Sequence, residues 1–206
     1  MQETIGQTGM ASRRSSKIRV TTQKSQSVAK VVDPRAEKTR AAIAAAFAGL
    51  LMRRPYDRIR VSAITRKAAV GRTTFYAHFA TKDALLQAEL VRVVADTLVD
   101  APKEPCLVEC TRLFAHVQHA RGIFRSLTGG TTHVVTERII QDVLEARIAA
   151  AATARGDVPA TTPTFAPRFV ASTLLTLIVW SLEQPSVPSP RELQEIFRSL
   201  VGRALG

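Results

Sequence analysis

The chain has only two cysteines, Cys106 and Cys110, in 206 residues. That count excludes a disulfide framework, and the spacing matches no structural zinc site. Four histidines, no glycine-rich phosphate loop and no paired metal spacing leave no convergent acid, base or nucleophile. The chain therefore reads as a non-enzyme, with no catalytic residue, no metal ligand and no cofactor. Long apolar runs are also missing. The longest, Val170 to Leu182, is 13 residues and is broken by Ser172, Thr173, Thr176 and Ser181. A membrane span needs roughly 20 residues, so this run reads as a buried helix. No apolar stretch that could serve as an export signal follows the basic N-terminal residues, and the expected location is the cytoplasm, away from membranes. On one helix, Cys106 and Cys110 would share a face. With His116 and His119 nearby, that leaves a metal- or redox-sensing role open beside the plainer reading of buried thiols.

What the sequence has in excess is positive charge. Lys and Arg number 29 against 17 Asp and Glu, a net of +12, while a 46% hydrophobic content is enough to fill a core. The charge is unevenly spread. Residues 1–34 carry a net +4, residues 35–82 a net +9, and the remaining 124 a net −1. A basic N-terminal part on a nearly neutral remainder reads as two modules, one of which faces a polyanion.

Residues 1–32 are rich in Ser, Thr, Gln and basic residues without helical period, and read as a disordered basic arm. Arg13, Arg14, Lys17 and Arg19 would suit phosphates or a minor groove, or would simply be solvated. From Asp33 the pattern changes. Asp33 followed by Pro34 is a helix start, an N-cap acceptor with proline at the first position. Ile43, Phe47, Leu50 and Leu51 then make one apolar stripe that Pro55 ends. Arg35 and Lys38 lie in the first turns, where cations oppose the helix dipole, so their placement points to a task other than helix stability.

A short helix fits Ser62 to Ala69, with Ser62 as N-cap and with Ile64 and Ala68 inward. Gly71 would cap the next segment or take an unusual backbone angle, and "RTTFYAH" supplies about two more turns. Two short helices joined by a tight turn form a helix-turn-helix, whose second helix enters the DNA major groove. By helical phase, Phe75 and Phe79 anchor this helix, and Arg72, Thr73, Thr74, Tyr76 and His78 face DNA. Arg72 suits guanine, a threonine methyl suits thymine, and Tyr76 and His78 suit phosphates. Thr81 caps a further helix, and Lys82 in its first turn is placed to hold a phosphate. The plain alternative is a three-helix bundle whose aromatics serve only as core.

The run "YDRIRVSAITRKAAVGRTTFYAHFATKDALL", residues 56–86, resembles the DNA-binding domain of TetR/AcrR-type transcriptional regulators. The likeness is strong over residues 35–99 and weaker beyond. It implies base or phosphate contacts from Ser62, Arg72, Thr73, Thr74, Tyr76, His78 and Lys82. Two residues depart from the usual pattern: Ala69 stands where the turn often has glycine, and Thr65 where the second helix often has alanine. The implied architecture is all-α, with a three-helix helix-turn-helix domain at 33–82 and a larger helical effector-binding and dimerisation domain at 83–206.

Further helices are expected at 82–99, at 106–120, at Gly122 to Leu127 before Gly129 and Gly130, and at 132–154 with Val135, Ile139, Val143, Leu144 and Ile148 inward. "GDVPATTP" reads as a loop. Residues 164–183 are apolar on nearly every face, and Ser189-Pro190-Arg191-Glu192 is a capping box that opens a final helix. Leu174, Ile178, Leu193, Ile196, Phe197, Leu200 and Val201 are the expected dimer interface, since two such helices from each chain make a four-helix contact. The resemblance further implies an effector pocket, for which Phe114, His116, Phe124, Leu127, Phe169, Thr173, Thr176 and Trp180 are the candidate lining. The expected protein is a homodimeric repressor that binds double-stranded DNA at a palindromic operator and is released by a small-molecule effector. A non-specific architectural DNA-binding protein without an effector is the alternative.

Overall fold

The Asp33 side chain accepts the Arg35 N–H at 2.9 Å, Pro34 takes the first helical position, and the chain winds into α1, Pro34–Leu51. Cap and proline act as their chemistry requires. The computed structural model describes residues 33–101, 108–129, 133–155 and 165–205. The basic arm, Pro102, Pro105, Cys106, Leu107 and the loop at 156–163 lie outside the described residues. A 3₁₀ turn at Tyr56–Arg58 follows α1, then α2 (Val61–Ala68), α3 (Arg72–His78) and α4 (Lys82–Thr97). The rest is α5 (Thr111–His119), α6 (Arg121–Thr128), α7 (His133–Arg155), α8 (Phe165–Glu183) and α9 (Pro190–Leu205).

The all-α architecture holds, with one addition. Val99–Asp100 (β1) pairs antiparallel with Val108–Glu109 (β2), with Val99 opposite Glu109 and Asp100 opposite Val108. The helix expected at 106–120 therefore begins only at Thr111, and α4 ends at Thr97. Two tethers hold this corner. The Cys110 N–H donates to Gln194 Oε1 at 2.8 Å, and Arg147 pairs with Asp100 at 2.7 Å. Cys110 is buried ahead of α5, so α5 does not place it on one helix face with Cys106.

The core runs from Ile43, Phe47 and Leu51 of α1 through Ile64, Phe75 and Leu85 to Phe114, Leu144, Leu174 and Phe197. Each such side chain contributes about 1.5–3 kcal/mol by leaving water. On α7 Val143, Leu144 and Ile148 are inward as expected, Ile139 is partly buried, and Val135 is exposed. Gly129 follows the end of α6, at a point where a Cβ would lie 2.8 Å from the Arg125 carbonyl oxygen. The capping box of α9 forms: the Ser189 N–H donates to Glu192 at 2.7 Å, and the Glu192 N–H donates to Ser189 Oγ at 3.3 Å. By length and hydropathy α8 would suit a bilayer-crossing helix. In this fold it packs on α7 and α9 with Val170, Ala171, Leu174 and Ile178 buried. α1 also packs on α6, so the helices at 33–82 share a contact surface with those that follow.

Candidate nucleic-acid interface

The turn between α2 and α3 sets how α3 is presented. The Val70 N–H donates to the Thr65 carbonyl at 3.0 Å and the Ala69 N–H to the Arg66 carbonyl at 3.3 Å, the two bonds of a Schellman motif. That motif needs a left-handed residue, and Ala69 supplies it at φ 54°, ψ 39°. It is the one non-glycine residue at positive φ among those described. The unusual angle thus belongs to Ala69 and not to Gly71, which caps α3 in ordinary extended geometry at φ −72°. Ser62 does not cap α2. Burial of Ile59 after the 3₁₀ turn fixes the register so that Arg60 precedes the helix and Ser62 lies inside it, exposed. The buried Thr65 hydroxyl donates to the Ser62 carbonyl at 3.3 Å, which satisfies the polar group where an alanine is usual.

Helix α3 divides as its phase requires. Phe75 is fully buried and Phe79 nearly so, with ring centroids 5.9 Å apart. Arg72, Thr73 and Thr74 are exposed, and His78 is half-buried. Tyr76 packs edge-on against Phe75 yet stays 51% exposed. Arg35 and Lys38 are exposed on the first turns of α1. Arg40, near them, lies 5.7 Å over the Phe79 ring, a cation–π contact that backs the anchor.

Lys82 makes contacts inside the protein as well. Its ammonium donates to the carbonyls of Tyr56 at 2.8 Å and Ile59 at 3.1 Å and lies 3.8 Å over the Tyr56 ring. The buried Tyr56 hydroxyl donates to the Asp83 carboxylate. Burial, with the Asp83 contact adding to it, raises the Tyr56 pKa, and burial likewise lowers that of Lys82 against the pull of Asp83 and Asp57. The side chain clamps the α4 N-terminus to the 3₁₀ turn through two of its three N–H donors. Thr81 caps α4 as expected, accepting the Ala84 N–H at 3.0 Å.

Sequence reasoning missed a group of arginines. Arg54, Arg58, Arg60 and Arg66 surround one open hollow with Ser62. All four are exposed. The net charge of residues 35–82 was the only signal for them, and charge counting does not say which cations share a surface.

The expected effector residues separate. His116, Phe124 and Leu127 line a cavity of about 180 Å³ together with residues of α1 and α4. Phe114 is buried core behind it. Phe169, Thr173, Thr176 and Trp180 do not reach this cavity. The Thr173 hydroxyl is bonded to the Phe169 carbonyl, and Thr176 and Trp180 line an outer groove with Leu175 and Val179. The expected interface residues separate in the same way. Leu174, Ile178, Leu193, Phe197 and Val201 are buried within the protomer, while Ile196 is 36% and Leu200 50% exposed. An α8 that is apolar all round gives no phase, so the two assignments on it exchange faces: Leu174 and Ile178 point inward, Thr176 and Trp180 outward.

Residues 42–88, from the middle of α1 into α4, match the model of the bacterial regulatory proteins of the tetR family. The uncharacterized HTH-type transcriptional regulator YxbF of Bacillus subtilis (strain 168) is 28% identical over 179 residues, 82% of this chain. The chain spans 46% of the length of that relative. A TetR transcriptional regulator from Rhodococcus sp. RHA1 superposes with a TM-score of 0.55 at 15% identity, over 84% of this chain and 100% of the other. RolR, solved with resorcinol, superposes at 0.51 and 19% identity, over 84% of this chain and 89% of its own. At these identities the two solved structures bear on the fold.

Proposed function

We propose that the chain, whose residues 42–88 match the tetR family of bacterial regulatory proteins, is a cytoplasmic, homodimeric repressor of transcription, released from a palindromic operator by a small molecule. The observation that carries this reading is α3 itself. A seven-residue helix is locked by Phe75 and Phe79, and its exposed edge of Arg72, Thr73, Thr74 and Tyr76 is made of groups that read bases and hold phosphates. Ser62, Arg35 and Lys38 add exposed polar groups on neighbouring helices. The arginines around Ser62 extend the same basic surface, as phosphate contacts require. In this reading the backbone at the α4 N-terminus is offered to a phosphate, while two of the three Lys82 N–H donors are bonded inside the protein.

Dimerisation supplies the palindrome, because one α3 is too short to specify a long site. The outward face of α8 with Thr176, Val179 and Trp180, and the exposed Ile196 and Leu200 of α9, are its surface in this reading. Selection of bound DNA from a random pool tests the proposal. It should return a two-fold motif, and Arg72→Ala should relax one base position at a cost of roughly 1–3 kcal/mol. A pool that yields no motif, with affinity vanishing uniformly as salt rises, would leave the architectural reading instead.

A further inference from the structure

We propose that the cavity between α1, α4, α5 and α6 binds an uncharged, single-ring aromatic molecule carrying one hydroxyl group, which pairs with His116. This names the effector class of the regulator proposed above and rests on that reading for its effect on DNA. The walls are Phe47 and Ala48 of α1, Leu86 and Leu90 of α4, and Phe124 and Leu127 of α6. Ala44 and Ala48 of α1 also line the cavity, and their small side chains leave the space open. The volume is about 180 Å³, whereas an apolar cavity of about 150 Å³ lined by Leu, Ile and Phe already stays dry and takes benzene.

One polar side chain breaks the apolar wall from α5. The His116 ring stands edge-on to Phe124 at 6.3 Å, and among the described residues neither of its nitrogens meets a hydrogen-bond partner. Burial, with Arg92 and His119 adding to it and Asp96 opposing, lowers its pKa, so the neutral ring offers one donor and one acceptor at pH 7. Glu89 and Arg92, also on the rim, are paired at 3.0 Å. Arg92 also pairs with Asp96 at 3.5 Å, so the three groups carry a net −1 and an anionic ligand would have to break these pairs.

The site also straddles the part of the protein that must respond. α1 and α4 frame the helix-turn-helix, while Ser126 of α6 donates to the Arg54 carbonyl at 2.8 Å, just beyond the end of α1. A ligand that wedges α6 from α1 favours one relative placement of these helices over another, which is what a shift of DNA affinity requires.

Calorimetric titration of the full chain with phenol, toluene and benzoate tests the site. Phenol should bind more tightly than toluene and roughly tenfold or more tighter than benzoate, and His116→Phe should erase the preference over toluene. Ala48→Leu and Ala44→Leu, each shown to be folded by circular dichroism, should both lose phenol, whereas Ala45→Leu on the exposed side should keep it. Phenol should lower affinity for the selected operator severalfold in the parent chain and not in Ala48→Leu. A chain that binds its operator but takes up no phenol overturns the site and leaves the regulator standing. Phenol binding unchanged in both leucine variants overturns its location, and binding with no change in operator affinity overturns its role. Binding of phenol by a chain that selects no DNA motif would instead keep the site and refute the regulator.

Discussion

The ammonium of Lys82 sits 2.8 Å from the Tyr56 carbonyl and 3.8 Å above the same residue's ring. One cation thereby fastens the start of α4 to the turn that precedes α2, so the register of the helix-turn-helix depends on an interior contact at the place where a DNA contact was expected.

Lys82→Met should accordingly act on stability. The Ile59 carbonyl loses its donor and the Tyr56 carbonyl keeps only the Ile59 N–H, at a cost of about 1–3 kcal/mol for an acceptor left unpaired. Operator affinity should fall with the folded fraction, while its salt dependence is unchanged. A phosphate clamp would behave differently, since its loss reduces the salt slope by about 1. Chemical denaturation and binding at several salt concentrations measure both.

Ala69→Gly should stabilise the protein. A left-handed angle costs an L-residue about 1–2 kcal/mol, and the extra freedom glycine brings to the unfolded chain returns about 0.4–1 kcal/mol of that. A net gain of about 0.5–1 kcal/mol is expected, read as a higher denaturation midpoint at constant m-value. A lower midpoint would mean that the turn does not hold alanine at positive φ.

How much of this was legible depended on whether a residue's surroundings were local. Asp33, Pro34, Thr81 and the Ser189–Glu192 box act on backbone groups within four residues, and each forms as read. Phe75 and Phe79 have polar neighbours, so helical phase alone turned them inward. On α8 nearly every residue is apolar, and phase carried no information; Leu174 and Trp180 were exchanged for that reason. Lys82 has a stem long enough to reach water or the interior, and only the position of the Tyr56 and Ile59 carbonyls decides between them. The β1–β2 pair has two residues per strand, too few for any period, and the shared hollow of Arg54, Arg58, Arg60 and Arg66 exists only after the chain has folded.

The capping box makes an acid-dependent prediction. Its bonds to Ser189 hold the Glu192 carboxyl below its usual 4.5. The unfolded chain therefore binds the proton more readily, so this contribution is complete above 4.5 and is lost as pH falls through the depressed folded value. Ser189→Ala should lower the Tm at pH 6, and the gap to the parent chain should narrow as pH drops below that point. A gap independent of pH would show that the carboxylate takes no part.

The exchanged faces of α8 give the sharpest test of assembly. Trp180 is 41% exposed and Leu200 50%, whereas Leu174 is fully buried. If the outward faces meet a second copy, Trp180→Glu and Leu200→Glu should each yield a folded, helical monomer by sedimentation, because the charge harms only the contact between chains. Leu174→Glu should instead abolish folding, since an unpaired carboxylate enters the core at a cost of several kcal/mol. The single tryptophan of the chain offers an independent readout: diluting the parent protein should move Trp180 into water and shift its emission to longer wavelength. Emission that stays constant across the dilution, with Trp180→Glu sedimenting like the parent, would place the dimer contact elsewhere.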